Sequence, residues 1–498
     1  MKQKAFERSA GILMPVSSLP SPYGIGTFGQ AAYDFVDQLA NAGQKYWQVL
    51  PLGPTSYGDS PYASFSAFAG NHYFIDLDML IEEGLITEKY VKRFKWNMED
   101  AQVDYGLQYR SRFKVLRKAF MKSKHAETKE YKEFVKENKF WLDDYSLYFA
   151  CKHKYENISW QNWDDDIKFR KRTAITRLKK ELAEDIAFHG FIQFKFYEQW
   201  TKLKAYANEK GIQIIGDIPL YMAMDSADVW TNTKQYQLDK DLRPEAVAGV
   251  PADSFSELGQ RWGNPLYDWD EMEKDDFAWW RKRMEYSAKI YDVIRIDHFL
   301  GIVKYYAIPP EDPDALGGEY HKGPGKKLIK VFQEAIGDKK IIAEDLGIEM
   351  PEAVRLMDQA GYPGMKVLEF AFDGDRENEH LPYNYKKNLV VYGGTHDNDT
   401  LMGYFSGLKW WDLSYVREYV GDKHASIEYI VDTLFRVAYS SVADLVIFQL
   451  QDVLKMNTTA RINIPSTMGT NWRWRLLDGE LTEDDVNRLK YFCDIYGR

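Results

Sequence analysis

Between residues 212 and 452 short apolar runs recur with helix-patterned stretches between them: "IQIIGDIP", "YDVIRIDHF", "KKIIAEDLG", "MKVLEFAF", "NLVVYGGTHDND" and "ADLVIFQLQD". Runs this short, spaced in this way, bury their apolar side chains as a parallel sheet covered by helices. The first seventy residues add two more units. "GILMPVSSLP" and "WQVLPLGP" flank the amphipathic "QAAYDFVDQLANAG", which Gly43 closes. Eight such units would close a barrel. An open doubly wound sheet is the alternative, but no Gly-rich dinucleotide fingerprint opens any unit.

Four of these strands end in an acid: Asp217, Asp297, Glu344 and Asp397. Side chains alternate between faces along a strand. Val293, Arg295 and Asp297 therefore share a face opposite Ile294 and Ile296. The same test groups Gln213, Ile215 and Asp217, then Ile342 with Glu344, then Val391, Gly393, Thr395 and Asp397. In a parallel barrel the C-terminal strand ends form the active-site mouth, so four acids from four strands would converge there. The competing reading is that each acid caps the helix that follows it. Arg295 beside Asp297 and His396 beside Asp397 favour a shared pocket. Asp345, on the face opposite Glu344, is the better candidate for a cap or structural hydrogen bond. His298 points with Ile296, away from Asp297, and is expected to support the loop or a substrate hydroxyl.

Several carboxylates with an arginine and a histidine, and no nucleotide or metal signature, suit cleavage of a glycosidic bond. One acid must be protonated to help the leaving oxygen depart, and another ionised to attack the sugar. A guanidinium beside the attacking acid favours its ionised form, and further carboxylates raise the pKa of the proton donor. Aromatic residues make up 15% of the chain, which suits either a stapled core or a carbohydrate groove. A net charge of −10 argues against a nucleic-acid or anionic-membrane partner. Acidic stretches such as "DDD" at 164–166 lack EF-hand spacing, so neither metal nor cofactor is expected. Cys151 and Cys493 are expected as free thiols. No signal-peptide pattern and no run approaching a membrane span is present, so a cytoplasmic protein is expected.

The chain resembles the amylomaltases, or 4-α-glucanotransferases, of glycoside hydrolase family 77. Eight ordered blocks carry the resemblance almost end to end: "GILMPVSSLPSPYGIGTFG", "WQVLPLGPTSYGDSPYASFSAFAGN", "GDIPLYMAMDSADVW", "GVPADSFSELGQRWGNPLYDW", "RIDHF", "AEDLG", "GGTHDNDT" and "NWRWR". It implies an α/β fold, a (β/α)8 TIM barrel with large, mostly helical insertions. Residues 1–75 would begin the barrel, 76–190 would form a helical insertion, and 191–498 would complete the barrel, with a substrate-covering loop at about 224–275.

By the same resemblance Asp297 would be the nucleophile, Glu344 the general acid/base, and Asp397 the group binding hydroxyls of the distorted sugar. Arg295 and His396 would orient Asp297 and that sugar, with Tyr62 stacked beneath it. Ser60, Asp217, Asp253, Trp262 on the covering loop and Asn463 would complete the contacts to α-1,4-glucans. Three positions depart from the family pattern: Ser254 where an aromatic is frequent, Leu300 where a basic residue is common, and Ser466 where glycine is usual. The implied reaction is transfer between glucans, by a retaining double displacement. A hydrolase of the α-amylase type would use the same acids, and a non-catalytic glucan-binding protein would bind without turnover. Maltotriose separates all three: transfer gives longer oligomers with an unchanged total of reducing ends.

Overall fold

The structure, a computed structural model, describes residues 2–56, 58–252, 256–347 and 350–498. Eight strands pair in parallel: β1 (Ser9–Leu13), β2 (Tyr46–Gln48), β3 (Gln213–Ile218), β4 (Val293–Ile296), β5 (Lys340–Ala343), β6 (Gly364–Val367), β7 (Leu389–Tyr392) and β8 (Leu445–Gln449). Their order in space is their order in the chain, and β8 returns to pair with β1 in the register Gly11↔Ile447. Between β5 and β6 the Ala343 N–H reaches the Pro363 carbonyl at 3.0 Å. Beside that contact the Asp345 carboxylate accepts the Met365 N–H at 2.7 Å, taking the place of a ladder hydrogen bond. The chain thus folds as a TIM barrel.

The two faces of each strand are sharply different. Phe448 stacks on Phe435 of the helix Ile427–Ser440, with centroids 3.8 Å apart, and Trp47 meets Phe35 of the helix Gln30–Asn41. Those rings form the apolar layer between sheet and helices. The register puts Tyr46 beside Gln213, Asp217 beside Arg295, and Arg295 in turn beside Ile342. Polar groups therefore line the inner face, where they must pair with one another. Across it the Tyr392 hydroxyl donates to the Gln48 side-chain oxygen at 2.8 Å.

Between β2 and β3 the chain is helical, including Tyr105–Lys122, Lys129–Lys154 and Ala183–Glu209. The last of these lies on the barrel, where the Trp200 indole donates to the Ile290 carbonyl. Its Gln193 and Gln199 side chains each donate to and accept from the backbone of Gly70 and Asp76 respectively. They tie down the end of the long loop after β2, which carries Tyr62. The stretch expected as a covering loop at about 224–275 instead holds helices and two strands. Those strands, Val247–Val250 and Gln260–Pro265, join Lys304–Ile308 and Glu319–Lys322 in a four-stranded antiparallel sheet. Cys151 and Cys493 are buried free thiols. Among the described residues no helix is long and apolar enough to cross a membrane.

Candidate active site

At the C-terminal end of β4, Arg295 is buried with its Nη1 donating to both oxygens of Asp217, at 2.8 and 2.7 Å, and to Asp297 Oδ1 at 3.0 Å. Alternation correctly put these three groups together. The sequence reading gave the guanidinium to Asp297 alone, whereas it is shared, with Asp217 as its two-oxygen partner. Burial pulls the guanidinium pKa down, but Asp217 and then Asp297 outweigh it and hold the charge. The Tyr62 hydroxyl donates to Asp217 Oδ2 at 2.7 Å and lies 3.3 Å from His396 Nδ1. Its ring stacks on the His396 ring, 4.8 Å between centroids. Ser60 supports this loop: its hydroxyl accepts the Tyr62 N–H at 3.3 Å.

Glu344 follows β5, and both its oxygens accept backbone N–H groups: Oε1 from Leu346 at 2.8 Å and Oε2 from His298 at 2.7 Å. The second contact depends on a left-handed turn at His298, φ 51°, which directs that N–H toward Glu344. The chain thereby leaves strand geometry, so alternation no longer governs the His298 side chain. Its ring meets the edge of Trp262, with centroids 4.8 Å apart. Burial lowers the His298 pKa to about 4, so the ring is neutral near pH 7. Trp262 lies on a strand of the antiparallel sheet, correcting the expectation of a loop residue.

The two acids differ in protonation. Burial raises the Glu344 pKa to about 8, reinforced by the charge of Asp297 and opposed by Arg295 and the two N–H groups. Burial, with Asp217 and Asp397 adding to it, raises Asp297 to about 6, opposed by Arg295 and then His396. Near pH 7 Glu344 is therefore mostly protonated and Asp297 mostly ionised.

Asp397 reaches the site by a different route from the one alternation gave. β7 ends at Tyr392, and its neighbour Val391 pairs with Lys366 and Val446, on the helix-facing side. Continued alternation would have sent Asp397 outward with Val391. The turn after Gly394 cancels it: Asn398 Oδ1 accepts both the Thr395 N–H and its hydroxyl at 2.9 Å. Asp397 then faces the mouth, where Asn463 Nδ2 donates to its Oδ1 at 2.6 Å and His396 Nε2 lies 3.4 Å from its Oδ2.

Arg461 and Trp472 were not singled out from the sequence. Arg461 donates to the Asp397 carbonyl at 2.7 Å and to the Asn463 carbonyl at 2.8 Å. Trp472 flanks Tyr62 and His396, 5.9 Å from each ring. Its place inside "NWRWR" was the available signal. Asp253 and the departure at Ser254 lie outside the described residues. Leu300 is buried against Met350 and Ala353. Ser466 has φ 62°, the left-handed region in which glycine is less strained. Among the described residues no group of three or more His, Cys, Asp or Glu is arranged to hold a metal ion.

The family described as 4-alpha-glucanotransferase, glycoside hydrolase 77, matches residues 14–481. A 4-alpha-glucanotransferase from Clostridium butyricum is 47% identical over 494 residues, covering 97% of this chain and all of the relative. The amylomaltase of Streptococcus agalactiae, solved in complex with acarbose, superposes with a TM-score of 0.95 at 42% identity. That match covers 99% of this chain and 100% of the other. An amylomaltase from Corynebacterium glutamicum, 18% identical, shares the fold with a TM-score of 0.81 over 97% of this chain and 75% of its own. The chain belongs to the 4-alpha-glucanotransferase family, glycoside hydrolase family 77, and is an enzyme acting on α-1,4-glucans.

Proposed function

We propose that transfer proceeds by retaining double displacement with Asp297 as nucleophile and Glu344 as acid/base. An Asp297 oxygen attacks C1 of the donor glucan, the C1–O bond breaks, and the Glu344 proton passes to the departing 4-oxygen. The acceptor's 4-hydroxyl then attacks C1, returns its proton to Glu344 and releases Asp297. The carrying observation is the asymmetry of contacts: Asp297 Oδ1 accepts from the Arg295 guanidinium at 3.0 Å, whereas the buried Glu344 carboxyl is held by two uncharged backbone N–H groups. That asymmetry is what the first step needs at neutral pH.

In this reading Asp397, held by Asn463, binds hydroxyls of the distorted sugar, and His396 orients both. Arg295 and Asp217 keep Asp297 aligned. Tyr62, its hydroxyl already engaged, offers its ring to the sugar. Trp262 stands on the acceptor side beside His298 and limits water access, which favours a sugar over water as acceptor. Maltooligosaccharides would be donors, glucose or shorter glucans acceptors, in the cytoplasm. Residues 1–75 and 191–498 would form the catalytic unit, with 76–190 inserted into it.

Maltotriose incubation tests the reaction: glucose plus longer oligomers are expected, with the total of reducing ends constant. A rising total would replace transfer by hydrolysis. Trapping a slow fluoro-sugar substrate and mapping the labelled peptide tests the nucleophile. A label on any residue other than Asp297 overturns the assignment.

A further inference from the structure

Beneath the loop that carries His396 and Asp397 lies a group of acids that the transfer steps do not use. Glu369 follows β6 and is 3% exposed; Asp452 follows β8 and is fully buried. The Glu369 N–H donates to the Gly393 carbonyl at 3.3 Å. Asp452 Oδ1 accepts the N–H of Leu401, at the start of the helix Leu401–Gly407, at 2.7 Å. Glu369 Oε1 and Asp452 Oδ2 are buried without a hydrogen-bond partner.

The glycine pair in "YGGTHDND" is shaped by these acids. A Cβ on Gly394 would stand 2.9 Å from Glu369 Oε1 and 3.1 Å from Gln449 Nε2, and one on Gly393 would stand 3.1 Å from Asp452 Oδ2. The loop backbone therefore rests directly on the two carboxyl groups. Asn398 packs on the same glycine: a Cβ on Gly394 would stand 3.0 Å from Asn398 Cβ. Asn398 is the residue whose Oδ1 holds the Thr395 N–H and hydroxyl. Glu369 and Asn398 thus close on one glycine, at the start of the turn that presents Asp397.

We propose that Glu369 is a positioning residue for glucan transfer, which acts through Gly394 and Asn398 to fix the Thr395–Asp397 turn and so the placement of the Asp397 carboxylate on the sugar. Asp452 supports the same loop from the other side. Several titratable groups surround Glu369. Burial, then Asp452 and Asp399, push its pKa well above the usual carboxylate range, while Arg461 pulls it down. Asp452 is raised to about 8, chiefly by burial. Tyr404, from the following helix, is raised by burial and by Glu369. Glutamine keeps the length and planar head that rest against Gly394, whereas alanine empties that space, so glutamine should replace Glu369 where alanine cannot.

The inference rests on the reading of Asp397 as a group acting on the bound sugar, and the test separates the two. Glu369→Gln, Glu369→Ala, Asn398→Ala and Asp397→Asn would be compared in maltotriose transfer, measuring kcat, KM and melting temperature. Glu369→Ala is expected to lower kcat by about ten- to a hundredfold, as for a misplaced catalytic group. KM should change by less than about threefold, because the affected contact acts in the transition state. Asn398→Ala should act in the same direction, and Glu369→Gln should recover most of the kcat. Unchanged kcat in Glu369→Ala, or a Gln variant as impaired as the Ala variant, overturns the proposal. If Glu369→Ala fails to fold, the Gln and Asn398→Ala variants decide between the same outcomes. An active Asp397→Asn enzyme would instead sink the role given to Asp397.

Discussion

Replacing Arg295 by glutamine is the most searching perturbation of the site, because one nitrogen of that residue touches both Asp217 and Asp297. Arg295 lowers the pKa of Asp297 and of Glu344 alike. A neighbouring guanidinium depresses a carboxyl pKa by roughly 1–3 units, so its loss should carry Asp297 from about 6 into the range of about 7–9. At pKa 8 only about a tenth of Asp297 would be ionised at pH 7, against roughly nine-tenths in the parent. Glu344 should also rise, since it loses the same cation. The sign is therefore fixed for both limbs of the pH profile: activity appears as Asp297 ionises and disappears as Glu344 does, and both limbs move to higher pH. The assay is kcat/KM for glucose release from maltotriose across about pH 4.5 to 9.5, which reports the free enzyme's acid and base as a coupled pair. The parent should give a bell centred near neutrality. Arg295→Gln should lose about tenfold at pH 7 from titration alone and regain part of it on the alkaline side. A bell reduced in height but unmoved would mean that Arg295 acts only through geometry, and a shift toward acid would refute the electrostatic account. The amide can still donate to Asp217, so destabilisation should stay below the roughly 3–5 kcal/mol expected when a buried charge is stranded.

Other perturbations test neighbouring parts of the molecule. Asn463→Ala removes the 2.6 Å contact to Asp397 and should cost roughly 1.5–3 kcal/mol of transition-state binding, read as a fall in kcat of about ten- to a hundredfold. Gly216→Ala would set a Cβ 2.1 Å from the Tyr291 ring; a loss of at least about 1–3 kcal/mol in urea unfolding is expected. His72, His153 and His189 cluster with Phe113 in the helical region, and burial depresses the pKa of all three. The unfolded chain binds protons there before the folded chain does, so stability is full above about pH 6.5 and declines as the pH is lowered. The urea midpoint should fall between pH 7 and pH 5, and by less in His189→Phe.

The strand interior was readable from the sequence because alternation is a property of the backbone alone. Val293, Arg295 and Asp297 obeyed it, as did Asp345 against Glu344. Legibility stopped where strands stop. Asp397 was assigned to the right place through a rule that, continued past Tyr392, points the wrong way; a turn built on Asn398 makes the difference. His298 shows the same limit, since one left-handed residue turns its N–H toward Glu344 and its ring toward Trp262. The antiparallel sheet was hidden because "GQRWGNP" carries two glycines and a proline and no apolar alternation; its partners, Val247–Val250 and Lys304–Ile308, supply the order. Glu369 and Asp452 were overlooked because nothing local marks an acid as a support. Their meaning lies in glycines of another strand's loop.

The pairing of β1 with β8 fixes when this enzyme can exist. When β1 leaves the ribosome its partner Leu445–Gln449 is still about 430 residues behind. At common synthesis rates that is a wait of roughly 20 to 90 seconds with one edge of β1 bare. Exposed strand edges invite foreign partners. Pairing of β1 with β2 is available at once, and the helix Gln30–Asn41 covers their apolar side through Trp47 and Phe35. That βαβ unit is the natural custodian of the open edge until the ring can close. The acids of β3, β4 and β5 meet earlier, but the loop of Asp397 is held against the barrel only once Leu445–Gln449 has emerged and closed it.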